Sequence, residues 1–191
     1  MKRPIRGLIF DCDGTLADSM PLHWQAWQAV LARHPFRFTE ERFYALCGVP
    51  AREIIRQLNL EQGLTLDALA ISSEKETAYL PLIQQIEPIN AVLGIVRENH
   101  GHLPLAVASG GTRRIIQQVL EHLGIRSLFQ AVVTSDDVQH PKPAPDIFLE
   151  AARQLGVPPA ECRAYEDTDL GLEAIRAAGM EPVDVRTLLK A

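Results

Sequence analysis

The chain has few cysteines and no excess of basic charge, and both shortages limit what it can be. Its three cysteines, Cys12, Cys47 and Cys162, lie far apart and include no Cys-x-x-Cys pair, so we expect no disulfide framework and a reducing, cytoplasmic location. Among its 191 residues, 19 lysines and arginines stand against 24 aspartates and glutamates, which gives a net charge of −5. A general nucleic-acid-binding protein is expected to show a basic patch, and we therefore predict no nucleic-acid partner.

Long apolar runs are also absent. No segment approaches the roughly 18 apolar residues of a membrane span, and the apolar run at residues 8–10 is too short for a secretory signal. We therefore expect no membrane partner. The length suits one domain, or one domain with an insert, which buries enough surface to fold without a disulfide or a structural metal. Because no helix shows an obvious excess of apolar surface, we expect a monomer.

The chain does contain an alternation of short apolar runs and amphipathic helices. The apolar runs are typical of buried strands in a parallel α/β sheet, and they lie at residues 7–10, 104–108, 131–133, 162–165 and 182–185. Apolar residues at helical spacing lie between the later runs. Gly124, Gly156 and Gly179 each follow such a helix, where glycine tolerates the left-handed conformation that closes a helix.

The interval between the first two apolar runs is too long for a single crossover. Apolar residues recur at helical spacing from residue 18 to residue 86, so we interpret this segment as a wholly helical insert, or cap, placed after the first strand. Residues 89–99 are predicted to form the helix that returns to the sheet. The predicted domains are therefore a core, residues 1–17 and 87–191, and a cap, residues 18–86.

Four polar clusters follow predicted strands, at the edge where open α/β sheets bind ligands. Asp11 and Asp13 come directly after the first strand. Residues i and i+2 of an extended segment point the same way, so both carboxylates are expected to face one site. Adjacent carboxylates repel each other unless a cation lies between them or their roles differ. By itself, Asp-x-Asp-Gly is equally typical of a turn or a helix cap.

The other three clusters carry groups that suit a phosphate and a hard metal ion. Ser109 and Gly110 precede a helix, where a hydroxyl and backbone N–H groups bind phosphate or cap the helix. Lys142 lies between two prolines, and this rigid loop suits a fixed ammonium beside a phosphoryl group or a solvated lysine. Glu166 and Asp167 offer oxygen ligands to Mg²⁺, or form an acidic helix N-terminus. Four such clusters, each at a strand end, are hard to explain as caps alone.

Together these motifs resemble the haloacid dehalogenase superfamily along the whole chain. Residues 10–19, Phe-Asp-Cys-Asp-Gly-Thr-Leu-Ala-Asp-Ser, are similar to the first motif of the family, and the helical insert resembles its small cap. Ser109, Lys142 and the pair Glu166 and Asp167 are similar to its second, third and fourth motifs. Residues 23–27 and 142–148 resemble the β-phosphoglucomutase-like branch, and the short length and the ending resemble small bacterial sugar-phosphate phosphatases.

The resemblance implies an α/β fold, with a Rossmannoid core of parallel strands flanked by helices and a small helical cap. It also implies a chemistry, in which Asp11 attacks phosphorus to form an aspartyl-phosphate while Asp13 protonates the leaving oxygen and then activates water. Mg²⁺ is the implied cofactor. Its expected ligands are the Asp11 carboxylate, the Asp13 backbone carbonyl and Asp167, with Glu166 as a further ligand or beside one.

The resemblance also assigns groups that bind the substrate. The phosphoryl oxygens are expected to be held by Ser109, the Gly110 amide and Lys142. The cap is expected to contact the rest of the substrate, and its candidate residues are His23, Trp27, Arg52 and Lys75. Packing within a helix core is the alternative for Trp27, and a solvated helix face is the alternative for Arg52 and Lys75.

Three functions stay open for such a protein. The first is a Mg²⁺-dependent phosphatase of small sugar phosphates similar to fructose 1-phosphate, favoured because Thr15 and Leu16 follow Asp-Gly where mutases often carry Val-Ile. The second is a β-phosphoglucomutase, which His23, Trp27 and Lys75 support. The third is a non-catalytic phosphometabolite-binding protein on the same scaffold, against which the complete set of motif residues argues.

Overall fold

A computed structural model describes residues 4–189 of the chain. The strands, in chain order, are β1 (Gly7–Phe10), β2 (Ala17–Asp18), β3 (Glu87–Pro88), β4 (Leu105–Ala108), β5 (Ala131–Val133), β6 (Cys162–Glu166) and β7 (Glu181–Asp184). The helices are α1 (Met20–Leu31), α2 (Glu40–Ala45), α3 (Ala51–Gln62), α4 (Ala68–Tyr79), α5 (Asn90–Asn99), α6 (Arg113–His122), α7 (Asp146–Leu155) and α8 (Asp169–Ala177). The ends of the predicted core domain, residues 1–3 and 190–191, lie outside the described residues.

Five of the strands form one parallel sheet in the order β5-β4-β1-β6-β7. All residues of β1, β4 and β5 are buried, as expected of parallel strands that helices cover on both faces. The predicted α/β fold is confirmed. The predicted strands are shifted by one residue at some ends, because β4 begins at Leu105, β6 continues to Glu166 and β7 spans Glu181–Asp184.

The side chains of β1 alternate between two apolar layers, because successive residues of a strand point to opposite faces. Leu8 and Phe10 pack with the apolar faces of α5 and α6 on one side of the sheet. Ile9 packs with α7 and α8 on the other side. The helices that follow the core strands end as predicted, since Gly124, Gly156 and Gly179 all have positive φ angles. These two layers fix the end of β1, and with it the position of Asp11.

The insert between β1 and α5 has its own apolar cluster. Trp27 from α1 is 1% exposed and packs edge-to-face on Phe38, while Ile54, Ile55 and Leu58 from α3 complete the cluster. The helical cap predicted after the first strand is therefore present, although it is not wholly helical. The chain enters and leaves it through β2 and β3, which pair antiparallel. A two-residue strand is too short to give a hydrophobic period, so sequence pattern alone does not reveal it.

The return helix α5 begins at Asn90, one residue later than predicted, with Ile89 in an extended conformation before it. Within residues 4–189, no helix has the length and apolar character required to cross a membrane.

Candidate active site

The site lies at the carboxyl edge of the sheet, where β1 and β6 end beside each other. The Asp11 amide donates to the Tyr165 carbonyl at 3.0 Å, and this bond aligns the two strand ends. Carboxylate oxygens of Asp11, Glu166 and Asp167 therefore lie within 4.8 Å of one another. Asp11 and Glu166 are buried, so the arrangement concentrates negative charge where water cannot screen it. Such a cluster of oxygen donors is one that a hard divalent cation prefers.

Lys142 supplies one positive charge to this cluster. Its side chain is 1% exposed, and its ammonium donates to Asp11 Oδ1 at 2.6 Å and to Glu166 Oε1 at 2.9 Å. Burial lowers the pKa of a lysine, but the carboxylates of Asp11 and Glu166 outweigh burial and raise the pKa of Lys142 above its usual range. The proline-flanked loop thus delivers a fixed ammonium, and the alternative of a solvated surface lysine is wrong.

One lysine does not neutralise three carboxylates. Burial raises the pKa of Asp11 well above its usual value, in part offset by Lys142. Burial, followed by repulsion from Glu166, raises the pKa of Asp167 to about 7. Thr15 Oγ1 donates to Asp167 Oδ1 at 3.1 Å and orients that carboxylate. An ideal Cβ on Gly14, which has a φ of +82°, would lie 2.2 Å from Asp167 Oδ2, so only glycine fits the turn after the two aspartates.

Asp13 lies in a different environment from Asp11, although the two are separated by a single residue. Its Oδ1 accepts from Ser19 Oγ at 2.6 Å and from His23 Nε2 at 3.0 Å. Burial raises the pKa of Asp13, but the His23 and Ser19 contacts outweigh it and lower the pKa to about 2. The two carboxylates of the first motif therefore lie in different surroundings, and their pKa values shift in opposite directions.

The orientation of His23 is set by Lys75. Lys75 Nζ lies 2.6 Å from His23 Nδ1. An ammonium only donates hydrogen bonds, so Nδ1 is the acceptor and the proton of the neutral ring is on Nε2, facing Asp13. Burial and the Lys75 charge lower the pKa of His23, and burial lowers that of Lys75 to about 8. Stacking of the His23 ring on Tyr79, with 3.9 Å between centroids, holds the ring in place.

The loop after β4 brings backbone groups beside Asp11. Ser109 is buried, and its Oγ accepts from the Gly111 amide at 3.1 Å. Thr112 directly precedes α6, but its side chain makes no capping hydrogen bond to that helix. An ideal Cβ on Gly110 would lie 2.5 Å from the carbonyl oxygen of Gly48, in the loop between α2 and α3. The insert therefore presses directly on the sheet loop at this point.

A cavity of about 290 Å³ lies between the insert and the sheet edge. The predicted site residues that line it are Asp11, Asp13, His23, Trp27, Arg52, Lys75, Ser109 and Gly110. Lys142 instead lines a much smaller neighbouring cavity, which Arg52 and Gly110 also border. The solvated-face alternative is wrong for Lys75, which is 8% exposed, whereas the Arg52 side chain is 35% exposed.

Four residues of this region were not predicted from the sequence. Ser19 and Thr15 orient the two aspartates of the region, as described above. Thr112 Oγ1 donates to Glu76 Oε1 at 3.0 Å, across the gap between the sheet and the insert. Thr15 and Ser19 belong to the first motif, but neither the motif nor the capping preferences of serine and threonine indicate partners that are distant in the chain.

Comparison with known proteins identifies the class of protein to which this fold and site belong. The family model for haloacid dehalogenase-like hydrolases matches residues 5–179. The chain is a member of the haloacid dehalogenase-like hydrolases, as predicted.

Individual relatives show which members of this family the chain resembles. The chain is 42% identical over 183 residues to "Fructose-1-phosphate phosphatase YqaB" of Escherichia coli, covering 95% of this chain and 97% of that one. It is 30% identical to "Beta-phosphoglucomutase" of Bacillus subtilis, covering 95% and 83%. The crystal structure of beta-phosphoglucomutase from Clostridium difficile superposes with a TM-score of 0.87 at 25% identity, covering 98% and 88%. The predicted enzyme class, a phosphatase of this family, agrees with these findings.

Proposed function

We propose that the chain is a Mg²⁺-dependent phosphatase of small sugar phosphates, of the kind represented by fructose 1-phosphate. The observation that carries the proposal is the separation of Asp11 and Asp13 into two environments. Asp11 faces a lysine and two acids at the sheet edge, and Asp13 faces a histidine from the insert. A nucleophile and an acid–base group need such different surroundings. The 42% identity to a fructose-1-phosphate phosphatase supports this substrate class.

The acidic cluster fits a divalent cation. Three carboxylates within 4.8 Å of one another share one ammonium, which leaves excess negative charge in a buried site. Asp11, Asp167 and the Asp13 backbone carbonyl would hold the ion, with Glu166 held by Lys142 beside them. When bound, Mg²⁺ would reduce the repulsion between an anionic nucleophile and an anionic phosphate. The Asp13 side chain is turned away toward His23, which is compatible with a backbone role there.

The first half of the reaction joins Asp11 to phosphorus. An Asp11 oxygen forms a bond to phosphorus as the bond from phosphorus to the sugar oxygen breaks. Asp13 gives its proton to that oxygen, and the sugar leaves as an alcohol. In the free protein Asp13 is ionised, since its pKa is about 2, and the charge of a bound phosphate favours its protonation. Ser109, the Gly110 amide and Lys142 hold the phosphoryl oxygens.

The second half releases phosphate. Water attacks phosphorus, the bond to Asp11 breaks, and the Asp13 carboxylate takes the proton of the attacking water. His23 keeps Asp13 aligned through both halves, and Lys75 keeps the His23 proton on Nε2. His23, Trp27, Arg52 and Lys75 from the insert border the space that the sugar would fill. We propose that residues 18–86 act as one cap that closes over the substrate, and that the protein is a cytoplasmic monomer.

Phosphate release tests the proposal. Protein with Mg²⁺ is assayed against hexose and pentose phosphates, and the Asp11→Asn variant is expected to lose about a thousandfold or more of the activity, because it lacks the nucleophile. Asp18→Asn, an exposed acid on the same segment, is the matched control and is expected to keep full activity. Release of phosphate by Asp11→Asn at the wild-type rate would contradict the proposed role of Asp11.

The second candidate is a β-phosphoglucomutase, favoured by the 30% identity to such an enzyme and by the His23–Lys75 contact. The mutase function predicts that glucose 6-phosphate forms from β-glucose 1-phosphate when the reaction is primed with the bisphosphate. Rapid phosphate release without that product would exclude it. A protein that binds sugar phosphates but yields neither product would fit the non-catalytic alternative.

A further inference from the structure

One face of α4 forms a wall of the cavity between the insert and the sheet edge. Leu69, Ser72, Ser73 and Glu76 recur at positions i, i+3, i+4 and i+7, which places them on one side of the helix, and all four line the cavity. Lys75 also reaches the cavity, but its ammonium is committed to His23 at 2.6 Å. The wall therefore presents two hydroxyl groups and a carboxylate to whatever lies beyond the transferred phosphate.

Glu76 is held in place from the opposite side of the cavity. Thr112, in the loop after β4, donates its hydroxyl to Glu76 Oε1 at 3.0 Å. Among residues 4–189, no other hydrogen bond reaches the Glu76 carboxylate. Because a carboxylate accepts hydrogen bonds and donates none, the remaining lone pairs of Glu76 suit a ligand that donates. A sugar hydroxyl is such a donor, and a phosphate dianion is not.

Two arginines that could offset Glu76 have other partners, whereas Lys75, whose hydrogen-bond partner His23 is neutral, keeps its charge near Glu76. Arg52, which borders the cavity, pairs with Glu53 at 3.5 Å. Arg113 follows Thr112 directly, but its guanidinium donates to Asp137 at 2.6 Å. A second phosphate placed against α4 would meet the charge of Glu76 with both arginines already paired, and of these three cations only Lys75 would offset that charge.

We propose that Glu76 is a specificity-determining residue that admits sugar monophosphates and rejects sugar bisphosphates. This inference rests on the proposed phosphatase function and names the substrate class of the same site. The negative charge of Glu76, held by Thr112, repels a second phosphate, whereas its oxygens accept hydrogen bonds from a neutral sugar. A mutase that must retain a bisphosphate in its site would be hindered by the same charge.

The test is a comparison of affinities for fructose 1-phosphate and fructose 1,6-bisphosphate by calorimetry with Mg²⁺. Asp11→Asn serves as the background in every protein, so that neither ligand is turned over. Glu76→Gln removes the charge but leaves an acceptor for Thr112, and it is expected to raise the relative affinity for the bisphosphate about tenfold or more. Thr112→Val removes the hydrogen bond and keeps the charge, and it is expected to retain the preference for the monophosphate.

Two outcomes would overturn the inference. One is an unchanged affinity ratio in Glu76→Gln, and the other is an equal change in Thr112→Val, which would assign the preference to the contact rather than to the charge. Failure of the proposed function has a different signature. In that case the protein with Asp11 intact releases no phosphate from fructose 1-phosphate, while the affinity ratio still decides the role of Glu76.

Discussion

At the scale of single residues, the contact between Gly110 and the Gly48 carbonyl limits how the insert can approach the sheet. Gly110→Ala would place a methyl group 2.5 Å from that oxygen, so the insert must shift outward. We expect the fold to persist and kcat/KM to fall at least about tenfold, because a displacement of this size near reacting groups is costly. Steady-state kinetics and circular dichroism measure the two effects.

Gly94→Ala is the matched control for that change. Gly94 lies within α5, and an added Cβ would meet no atom within 4 Å. Alanine is the better helix former, so this variant is expected to be more stable by about 0.5–1 kcal/mol with unchanged kinetics. Equal activity in both alanine variants would show that the Gly110–Gly48 contact does not restrict closure.

Lys75 offers a second test at this scale. Lys75→Met keeps the length of the side chain but removes the donor to His23 Nδ1. The ring can then carry its proton on either nitrogen, so Asp13 loses a fixed donor, and kcat is expected to fall about tenfold to a hundredfold. Because the contact positions Asp13, KM for the substrate is expected to change less than kcat. A change confined to KM would instead assign Lys75 to substrate binding alone.

The sequence indicates Asp11, Asp13, Ser109, Lys142 and the Glu166–Asp167 pair because each follows a strand or a rigid loop. Their convergence depends only on parallel strands ending at a common edge. No such rule predicts the contact between Glu76 and Thr112, because that contact depends on how α4 of the insert packs against the loop before α6. Residue spacing within either segment carries no information on that distance.

At the scale of elements, the turn after β5 fixes the start of α6. Asp137 accepts from the Thr134 amide at 2.8 Å and from the Arg113 guanidinium at 2.6 Å. Burial raises the pKa of Asp137, but these hydrogen bonds outweigh it and lower the pKa below its usual value. A carboxyl with a lowered pKa in the folded state stabilises the fold above its unfolded pKa of about 3.9, and the contribution is lost as the pH falls through the folded pKa.

Asp137→Asn is therefore expected to lower the free energy of unfolding by about 0.5–1 kcal/mol at neutral pH, through charge-assisted hydrogen bonds that solvent screens at this exposed residue. The difference from the wild type should shrink as the pH falls below about 4, where the wild-type carboxyl also becomes neutral. Urea unfolding at several pH values measures this difference in unfolding free energy. Glu121→Gln, which changes an exposed acid of α6, is the control. A difference that does not change with pH would exclude the charge as its cause.

The elements also show where prediction from sequence ends. The buried strands and the helices after them follow from apolar runs, helical spacing and glycines. The sequence pattern does not indicate the β2–β3 ribbon, because each of its strands has only two residues. Asp18 and Glu87 become partners through the geometry of the whole insert. The division at residues 17/18 and 86/87 passes through this ribbon and stays a prediction.

At the scale of the whole molecule, the insert and the sheet meet around one cavity. His23 reaches Asp13, Gly48 covers Gly110, and Glu76 bonds Thr112 across the gap. Asp13, the proposed acid–base group, is therefore aligned from the insert, whereas Asp11, the proposed nucleophile, is aligned from the sheet. A reaction that needs both Asp11 and Asp13 requires the insert and the sheet to be in contact. Closure of the insert would therefore couple substrate binding to the alignment of Asp13.

The acidic cluster at the edge of the sheet links the site to the stability of the whole chain. Asp11, Glu166 and Asp167 repel one another around a single ammonium, and the pKa of Asp167 is raised to about 7. A cation that binds the folded chain and not the unfolded chain stabilises it by mass action. Millimolar Mg²⁺ is therefore expected to raise Tm by a few degrees, and a chelator is expected to reverse the change.

Two variants at neighbouring acids locate the source of that stabilisation. Asp167→Asn removes a repelled carboxylate, so without Mg²⁺ it is expected to be at least as stable as the wild type, and its Tm should no longer respond to the ion. Asp169→Asn changes an exposed acid that pairs with Arg186 outside the cluster, and its response to Mg²⁺ should match the wild type. Calorimetry at constant ionic strength separates specific binding from screening. If Mg²⁺ raises the Tm of Asp167→Asn as much as that of the wild type, binding of the ion does not depend on this carboxylate. The proposed ligand set is then wrong.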